Sequence, residues 1–170
     1  SSQWVIKLQT ILVEKINFEK DETKRLLEKL DSESTYKVQH CIYYPYLFFE
    51  YSVQKKNFFD PIEGKLGCTI DGVNKIGALI DTYPLLDEKK IADGQIVNCT
   101  LSLPDAEAIA KKFLLDSILR KRKVFTIPKL KMTQQKIFYR PYWIVKGNED
   151  KPNHFLLLVD AVSGKFHPLH

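Results

Sequence analysis

Residues 42–48, IYYPYLF, and residues 138–144, FYRPYWI, share one pattern, a proline among aromatic and aliphatic residues that favour β-strands. A second matched pair follows them, IDGVNK at 70–75 and VDAVSG at 159–164. We interpret the two pairs as an internal repeat, each copy a helix, a strand, a hairpin, a strand that ends in Asp, and a turn. The alternative is chance, because strands rich in Tyr, Phe and Ile resemble one another.

Helical periodicity is strongest ahead of the two proline-containing strands, over residues 18–30 and 102–123. The second of these helices has Ser102 as its N-cap and Pro104 in its first turn, and a basic run closes it. Residues 4–16 also place apolar side chains at helical spacing. They predict a leading helix, with an initial strand as the alternative.

This order of elements predicts an α+β fold, in which two related helix-plus-antiparallel-hairpin units pack as one compact domain. The N-terminal half would cover residues 1–95 and the C-terminal half residues 96–170. Residues 81–95 are predicted as a loop and residues 96–103 as a strand. One helix on a short hairpin hides little apolar surface, so two such units would be stable only when packed together.

The two repeated aspartates, Asp71 and Asp160, have a structural explanation. An Asp at the end of a strand accepts hydrogen bonds from the amides of the following turn and fixes its shape. Gly72 and Asn74 are the residues expected to take the positive φ that such a turn needs. We therefore assign neither aspartate a catalytic role.

Positive charge is concentrated in one part of the chain. The net charge is +5, yet residues 108–146 contain eleven basic side chains and one acid, Asp116. The candidate binding residues drawn from this stretch are Arg120, Lys121, Arg122, Lys123, Lys129, Lys131, Lys136, Arg140 and Tyr139. Cations beside stackable rings suit single-stranded nucleic acid, an anionic surface or an acidic partner. A solvated helix end and loop, with the neighbouring aromatic side chains in the core, is the alternative.

The cysteines, Cys41, Cys68 and Cys99, are odd in number and far apart. They are predicted to be reduced, buried thiols, which points to a cytoplasmic protein, while one disulfide with a leftover thiol is the alternative. The chain does not begin with Met, so a removed leader and an extracytoplasmic location are also open. No apolar run reaches the roughly 20 residues of a membrane span.

The second half resembles a known family in three stretches, LPDAEAIAKKFLLDSI at 103–118, PYWIVKG at 141–147 and HFLLLVDAVSGKF at 154–166. They are similar to the PepSY-type domain over residues 102–169, and more faintly over 18–81 through the repeat. The resemblance implies a small α+β binding or inhibitory module, often bacterial and extracytoplasmic, without catalytic residues. The basic stretch 120–131 is not part of that pattern.

The sequence contains no phosphate-binding loop, nucleophile elbow or metal-ligand spacing. We therefore expect no cofactor, no metal and no enzymatic activity. The leading hypothesis is a non-catalytic binding or regulatory module for a protein or peptide partner, with strand edges near Pro45 or Pro141 open to strand addition. The alternative is a nucleic-acid-binding accessory protein that uses residues 120–140. A third class, a cysteine-dependent enzyme, would need a reactive thiol.

Overall fold

The computed structural model describes residues 5–54, 64–121 and 127–169. This part of the chain contains eight strands and two α-helices, with one short 3-10 helix. In chain order these are β1 (Leu8–Glu14), α1 (Lys20–Leu30), β2 (Tyr36–Gln54), β3 (Gly64–Asp71), β4 (Gly77–Ile80), β5 (Leu86–Ala92), the 3-10 helix (Asp93–Gln95), α2 (Leu103–Lys121), β6 (Lys129–Gly147), β7 (Phe155–Asp160) and β8 (Phe166–Leu169).

The strands form a mixed sheet in the order β4-β3-β2-β6-β1-β5, with β7 paired to β6 and β8 to β7. The hairpins β2–β3, β3–β4, β6–β7 and β7–β8 are antiparallel, and β1 meets β6 in parallel at Val13 and Tyr139. The fold is therefore dominated by strands. The prediction of an α+β fold made of two helix-plus-hairpin units is wrong.

One reason for the error is a long-range strand pair that the sequence pattern does not indicate. The residues predicted as a leading helix form β1, so the alternative of an initial strand is the correct one, and residues predicted as a loop form β5. The two strands pair antiparallel along their whole length, from Leu8 with Ala92 to Glu14 with Leu86. Apolar residues in β1 are dense enough to satisfy both the helical and the strand period, so periodicity alone could not separate the two.

A second reason lies in the strand lengths. The strand predicted at the second proline motif extends back to Lys129 as β6, which runs for 19 residues, as β2 does. The strand predicted at 96–103 is reduced to a single bridge between Ile96 and Tyr43. The two main helices are confirmed as α1 and α2, and Ser102 caps α2, because its Oγ accepts a hydrogen bond from the Asp105 amide at 3.3 Å.

The chain divides into two compact units. Unit 1 comprises Ser1–Tyr44, Pro84–Val97 and Tyr139–His170, and unit 2 comprises Pro45–Tyr83 and Asn98–Phe138. Each unit takes residues from both sides of position 95. Unit 1 contains α1 with the β7–β8 hairpin, and unit 2 contains α2 with the β3–β4 hairpin. The long strands β2 and β6 contribute one part to each unit.

Unit 2 has a core between α2 and one face of the β2–β3 ladder. Its buried residues are Leu47, Phe49, Tyr51, Cys68, Ile70, Leu101, Ala106, Ala110 and Leu114. Unit 1 has two buried clusters. One joins β1 and β5 to the start of β2 (Ile11, Val13, Cys41, Tyr43, Ile91 and Tyr139), and the other joins α1 to β6 and β7 (Leu27, Tyr36, Val38, Val145, Leu157 and Val159).

The turn between β3 and β4 in unit 2 is fixed by Asp71. Its Oδ1 accepts hydrogen bonds from the amides of Val73 at 2.9 Å and Asn74 at 2.8 Å. The structural role predicted for this aspartate is confirmed. The expected positive φ at Gly72 and Asn74 is wrong, because Lys75 takes it, with φ of 63°.

The turn between β7 and β8 in unit 1 repeats this geometry. Asp160 Oδ1 accepts hydrogen bonds from the amides of Val162 at 2.8 Å and Ser163 at 3.1 Å. The residue with positive φ is Gly164, at 78°, which stands in this turn where Lys75 stands in the other. The second aspartate therefore has the predicted structural role as well.

The ladders that lead into these turns also match. Each begins at the residue after the proline, which pairs with the aspartate: Tyr46 with Asp71 and Tyr142 with Asp160. The carbonyls of Pro45 and Pro141 accept hydrogen bonds from the residue after each aspartate, both at 3.0 Å. Each proline lies just outside its ladder, so that ladder does not need the N–H that proline lacks.

Candidate binding site

An open cavity of about 300 Å³ lies in unit 2, where α2 begins. Segments of β2, β6 and the chain entering α2 line it. The lining residues are Leu47, Cys99, Leu101, Leu103, Gln135, Lys136 and Ile137. Most of this surface is apolar, which is the property of a site that buries part of a ligand.

The cavity has a buried floor and an exposed rim. Leu47 and Leu101 form the floor and are 1% and 7% exposed. Leu103 and Ile137 form the rim and are 48% and 40% exposed. Large aliphatic side chains at the mouth of an apolar cavity remain in contact with water unless a partner covers them.

Two lining residues carry polar groups. The Cys99 thiol lies 3.4 Å from the Leu101 carbonyl oxygen and 3.6 Å from that of Gly72, within donor distance of both. Lys136 is exposed and is the one charged residue among those that line the cavity. The cavity is thus apolar below and cationic at one side of its mouth.

The strand beside the cavity is an open edge. β6 pairs with β7 from Tyr142 to Gly147 and with β1 at Tyr139. For residues 129–138, the sheet order gives β2 as the one neighbour in the described part of the chain. The expected edges near Pro45 and Pro141 are not sheet edges, because β2 lies between β3 and β6, and β6 at Pro141 is flanked by the β1 and β7 pairings.

Five of the predicted binding residues lie in unit 2. Arg120 and Lys121 are exposed at the end of α2, and Lys129, Lys131 and Lys136 are exposed on β6. Within the described ranges, none of the five belongs to an ion pair. Arg122 and Lys123 lie outside the described residues.

The remaining two predicted residues lie in unit 1 and face different surroundings. Tyr139 is 9% exposed and belongs to the buried cluster around β1, so its ring is not an open stacking surface. Arg140 is held by two carboxylates. Its Nε and Nη2 each lie 2.8 Å from Asp160 Oδ2, and its Nη1 lies 3.4 Å from Glu14 Oε1.

The ion pairs of Arg140 with Glu14 and Asp160 have a structural role. Burial raises the pKa of Glu14, and the charge of Arg140 opposes that shift. Burial would lower the pKa of Arg140, but its hydrogen bond to Asp160 and the charge of Glu14 outweigh burial and raise it. Removal of the guanidinium would leave two buried carboxylates without their cation. Arg140 therefore binds within the protein and is not free to hold an external anion.

The cysteines are free thiols, and two of them are buried. Burial raises the pKa of Cys41 and of Cys68 to about 12, so both stay protonated at neutral pH. A catalytic cysteine needs the opposite, a lowered pKa and access to substrate. Cys99 is half-buried, and the prediction of burial is therefore less accurate for it than for the other two.

Glu50 is a fully buried carboxylate of unit 2. It is 1% exposed, accepts a hydrogen bond of 2.6 Å from the Thr133 hydroxyl and lies 3.7 Å from Lys65 Nζ. A carboxylate that is buried, hydrogen-bonded and paired in this way stabilises the local arrangement of its strand. It is not among the residues that line the cavity.

In the ranges that the structure describes, no group of three or more His, Cys, Asp and Glu side chains is placed to hold a metal ion. No described helix is both long enough and apolar enough to cross a membrane. Comparison with protein-family models, with curated proteins and with solved structures gave no match.

Sequence reasoning named Lys136 but missed the other residues that line the cavity. Leu47, Leu101 and Ile137 stand in strand-like apolar runs, where a core position and a cavity position have the same composition. One comparison within the sequence could have pointed to them. When the two proline motifs are aligned, Leu47 stands opposite Trp143, a difference in side-chain volume at equivalent positions.

Proposed function

We propose that this protein is a non-catalytic binding module that buries an apolar side chain of a protein or peptide partner in the cavity of unit 2. The observation that carries this proposal is the combination of a buried floor at Leu47 and Leu101 with exposed aliphatic side chains at the rim. Covering Leu103 and Ile137 would remove apolar surface from water, which is the main source of affinity in such contacts.

The neighbouring strand supports a partner in extended conformation. Residues 129–138 of β6 have backbone groups on the side away from β2 that no described strand uses. A peptide segment alongside β6 could hydrogen-bond to them while one of its side chains enters the cavity. The open edge of β6 therefore supports the proposal of a partner with an extended peptide segment.

The ionisable groups support a non-catalytic role. Arg140 and Glu50 are engaged in ion pairs, and two of the thiols are protonated and buried. None of these groups lines the cavity, so none is placed to act on a ligand bound there. The PepSY-type resemblance of residues 102–169, itself a proposal, agrees with this role because it implies a binding or inhibitory module.

The test is binding to an array of random 12-residue peptides, with wild-type protein and two variants. Ile137→Glu places a charge at the rim of the cavity and should abolish or weaken most wild-type signals by about tenfold or more, because the carboxylate would have to be desolvated on binding. Leu156→Glu is the matched control, since Leu156 is 39% exposed but lies in unit 1. Equal loss in both variants, or no loss in either, would contradict the proposal.

The five predicted binding residues that are exposed in unit 2 favour a second candidate, nucleic-acid binding. Fluorescence anisotropy with a mixed-sequence single-stranded oligonucleotide at low salt distinguishes the two. A nucleic-acid site requires binding that falls steeply with salt and weakens in the double variant Arg120→Gln/Lys121→Gln. Absence of binding at low salt would exclude this candidate and leave the peptide site.

A further inference from the structure

We propose that the cavity of unit 2 takes an aromatic side chain, and that this side chain is flanked by carboxylates in an acidic segment of the partner. The inference rests on the proposed function and specifies its ligand. In unit 1, the position equivalent to the cavity is filled by a tryptophan of the chain itself.

The hairpin registers make Leu47 and Trp143 equivalent. Leu47 pairs with Ile70, one step beyond the pair of Tyr46 with Asp71. Trp143 pairs with Val159, again one step beyond the aspartate pair. The two side chains therefore leave their ladders at the same place relative to the proline and the turn.

In unit 1, the indole of Trp143 occupies this position. Its Nε1 donates a hydrogen bond of 2.8 Å to the Phe18 carbonyl oxygen. Its ring packs against the buried cluster that contains Cys41, with Ile16 beside it. In unit 1, the space equivalent to the cavity is thus filled by a flat indole ring that carries one hydrogen-bond donor.

The segment that receives the indole has a counterpart in unit 2. Asn17 and Phe18 donate their amides to the carbonyl of Ala161, the residue after the turn aspartate. Thr100 donates its amide to the carbonyl of Gly72, which also follows the turn aspartate. α1 begins two residues after Phe18 and α2 begins two residues after Leu101, so Leu101 stands in unit 2 where Phe18 stands in unit 1.

The other wall of the cavity matches as well. Tyr43 bridges Ile96 and Tyr139 pairs with Val13, both in parallel. Two residues before each tyrosine lie Cys41 and Ile137, which are therefore equivalent. Cys41 is buried in the cluster that includes Trp143, whereas Ile137 stands exposed at the rim of the cavity.

The cavity is consequently the space that an indole fills in unit 1 and that the shorter Leu47 leaves open in unit 2. The carbonyl of Leu101, equivalent to the acceptor of the Trp143 bond, meets the Cys99 thiol at 3.4 Å. A thiol is a weak donor, so a ring N–H or hydroxyl from a partner would offer this carbonyl a stronger one. These features favour an aromatic residue with a polar edge, Trp above all.

The charge at the mouth defines the flanks of the ligand. Lys136 is exposed on the lining, and Lys129 and Lys131 are exposed farther along the same strand, seven and five residues before it, without described ion pairs. A carboxylate next to the aromatic residue would face Lys136, and the positive field of all three lysines would attract an acidic segment and speed its association. A segment of basic character would be repelled.

Calorimetric or fluorescence titration of the full chain separates the contribution of the aromatic ring from that of the flanking charges. The ligands are three terminally blocked tripeptides, Asp-Trp-Glu, Asp-Ala-Glu and Lys-Trp-Lys. Asp-Trp-Glu should bind about tenfold or more tightly than either of the others, because only it combines burial of the ring with matching charge. Comparable affinity for Asp-Trp-Glu and Asp-Ala-Glu would overturn the inference, since charge alone would then account for binding.

The variant Leu47→Trp imitates unit 1 within unit 2. It should raise the midpoint of thermal unfolding and reduce affinity for Asp-Trp-Glu by about tenfold or more, because the chain's own indole would occupy the cavity. Since an overfilled core can fail to fold, Ile137→Glu at the exposed rim gives an independent measure, with Leu156→Glu as its control. Unchanged affinity in folded Leu47→Trp, or in Ile137→Glu, would place the peptide elsewhere and overturn the inference.

The proposed function can survive the failure of this inference. Array peptides that depend on Ile137 but show no preference for aromatic residues would refute the aromatic ligand and retain the binding module. An array in which no peptide depends on Ile137 would refute both.

Discussion

Lys75 and Gly164 hold the same position in two turns of one geometry, and only one of them is suited to it. A positive φ brings the Cβ of an ordinary residue close to its own backbone, whereas glycine has no Cβ. Lys75 has a Cβ and takes a φ of 63°, so its backbone is strained. The Asp71 side chain offsets this strain, because the two hydrogen bonds that it accepts from turn amides stabilise the turn.

Lys75→Gly should therefore stabilise the protein by up to about 1 kcal/mol, the relief of backbone strain less the greater freedom of glycine in the unfolded chain. Urea unfolding of the variant and wild type measures the difference. The reciprocal change Gly164→Lys should destabilise by more than about 1 kcal/mol. Gly164 has a φ of 78°, and a Cβ at this residue would lie 3.0 Å from Phe18 Cζ. Destabilisation by Lys75→Gly would contradict the shared geometry.

At the scale of single residues, the sequence was sufficient to predict a role where that role depends on neighbours in the chain. The role of Asp71 and Asp160 follows from an Asp at a strand end, and Ser102 from a capping position before a helix. Arg140 could not be assigned in this way, because its partner Glu14 is distant in sequence and reaches it only in the folded protein. The pattern showed a cation near aromatic residues but not the carboxylates that hold it.

The open edges of the sheet are protected by different means. β4 has only four residues, β5 carries the charged run DEKK, and β8 contains Pro168. The first part of β6 carries Lys129, Lys131 and Lys136. Short length, charge and proline are the usual ways in which proteins prevent pairing between exposed edges.

The double variant Lys129→Val/Lys131→Val should therefore self-associate, because it leaves the edge of β6 apolar and free to pair. Light scattering as a function of protein concentration measures this. Arg120→Val/Lys121→Val removes the same charge from the end of α2 and should stay closer to the wild type. Equal association of both variants would show that net charge, rather than edge protection, keeps the protein dispersed.

Elements with a clear pattern were predictable. α1, α2, β2 and the paired strands before each aspartate agree with the expected positions. The antiparallel pair of β1 and β5 was not predictable, for opposite reasons in its two strands. β1 is apolar enough to resemble a helix, while β5 is so charged that it resembles a loop, and only their pairing makes either one a strand.

At the scale of the whole molecule, two ladders of one strand-dominated sheet follow the same plan: β2–β3–β4 and β6–β7–β8 are each antiparallel, and each has an aspartate turn between its second and third strands. We propose that the plan arose by internal duplication. The sequence pointed to the repeat but not to the exchange between halves, because the helix of each unit comes from one half of the chain and its hairpin from the other. Such long-range pairing leaves no periodicity in the sequence.

The units differ where function is proposed. Trp143 fills its position in unit 1, and the equivalent position in unit 2 is the cavity above Leu47. The proposed function depends on this difference, because a cavity closed by the chain itself would leave a partner nothing to fill.

The most direct test is a ¹H–¹⁵N correlation spectrum of the full chain during titration with blocked Asp-Trp-Glu. The account predicts that the amides that shift belong to residues 99–103 and 135–137, which line the cavity, while those of the Trp143 region stay in place. Shifts centred on residues 143–159 of unit 1, or none at all at saturating peptide, would contradict it.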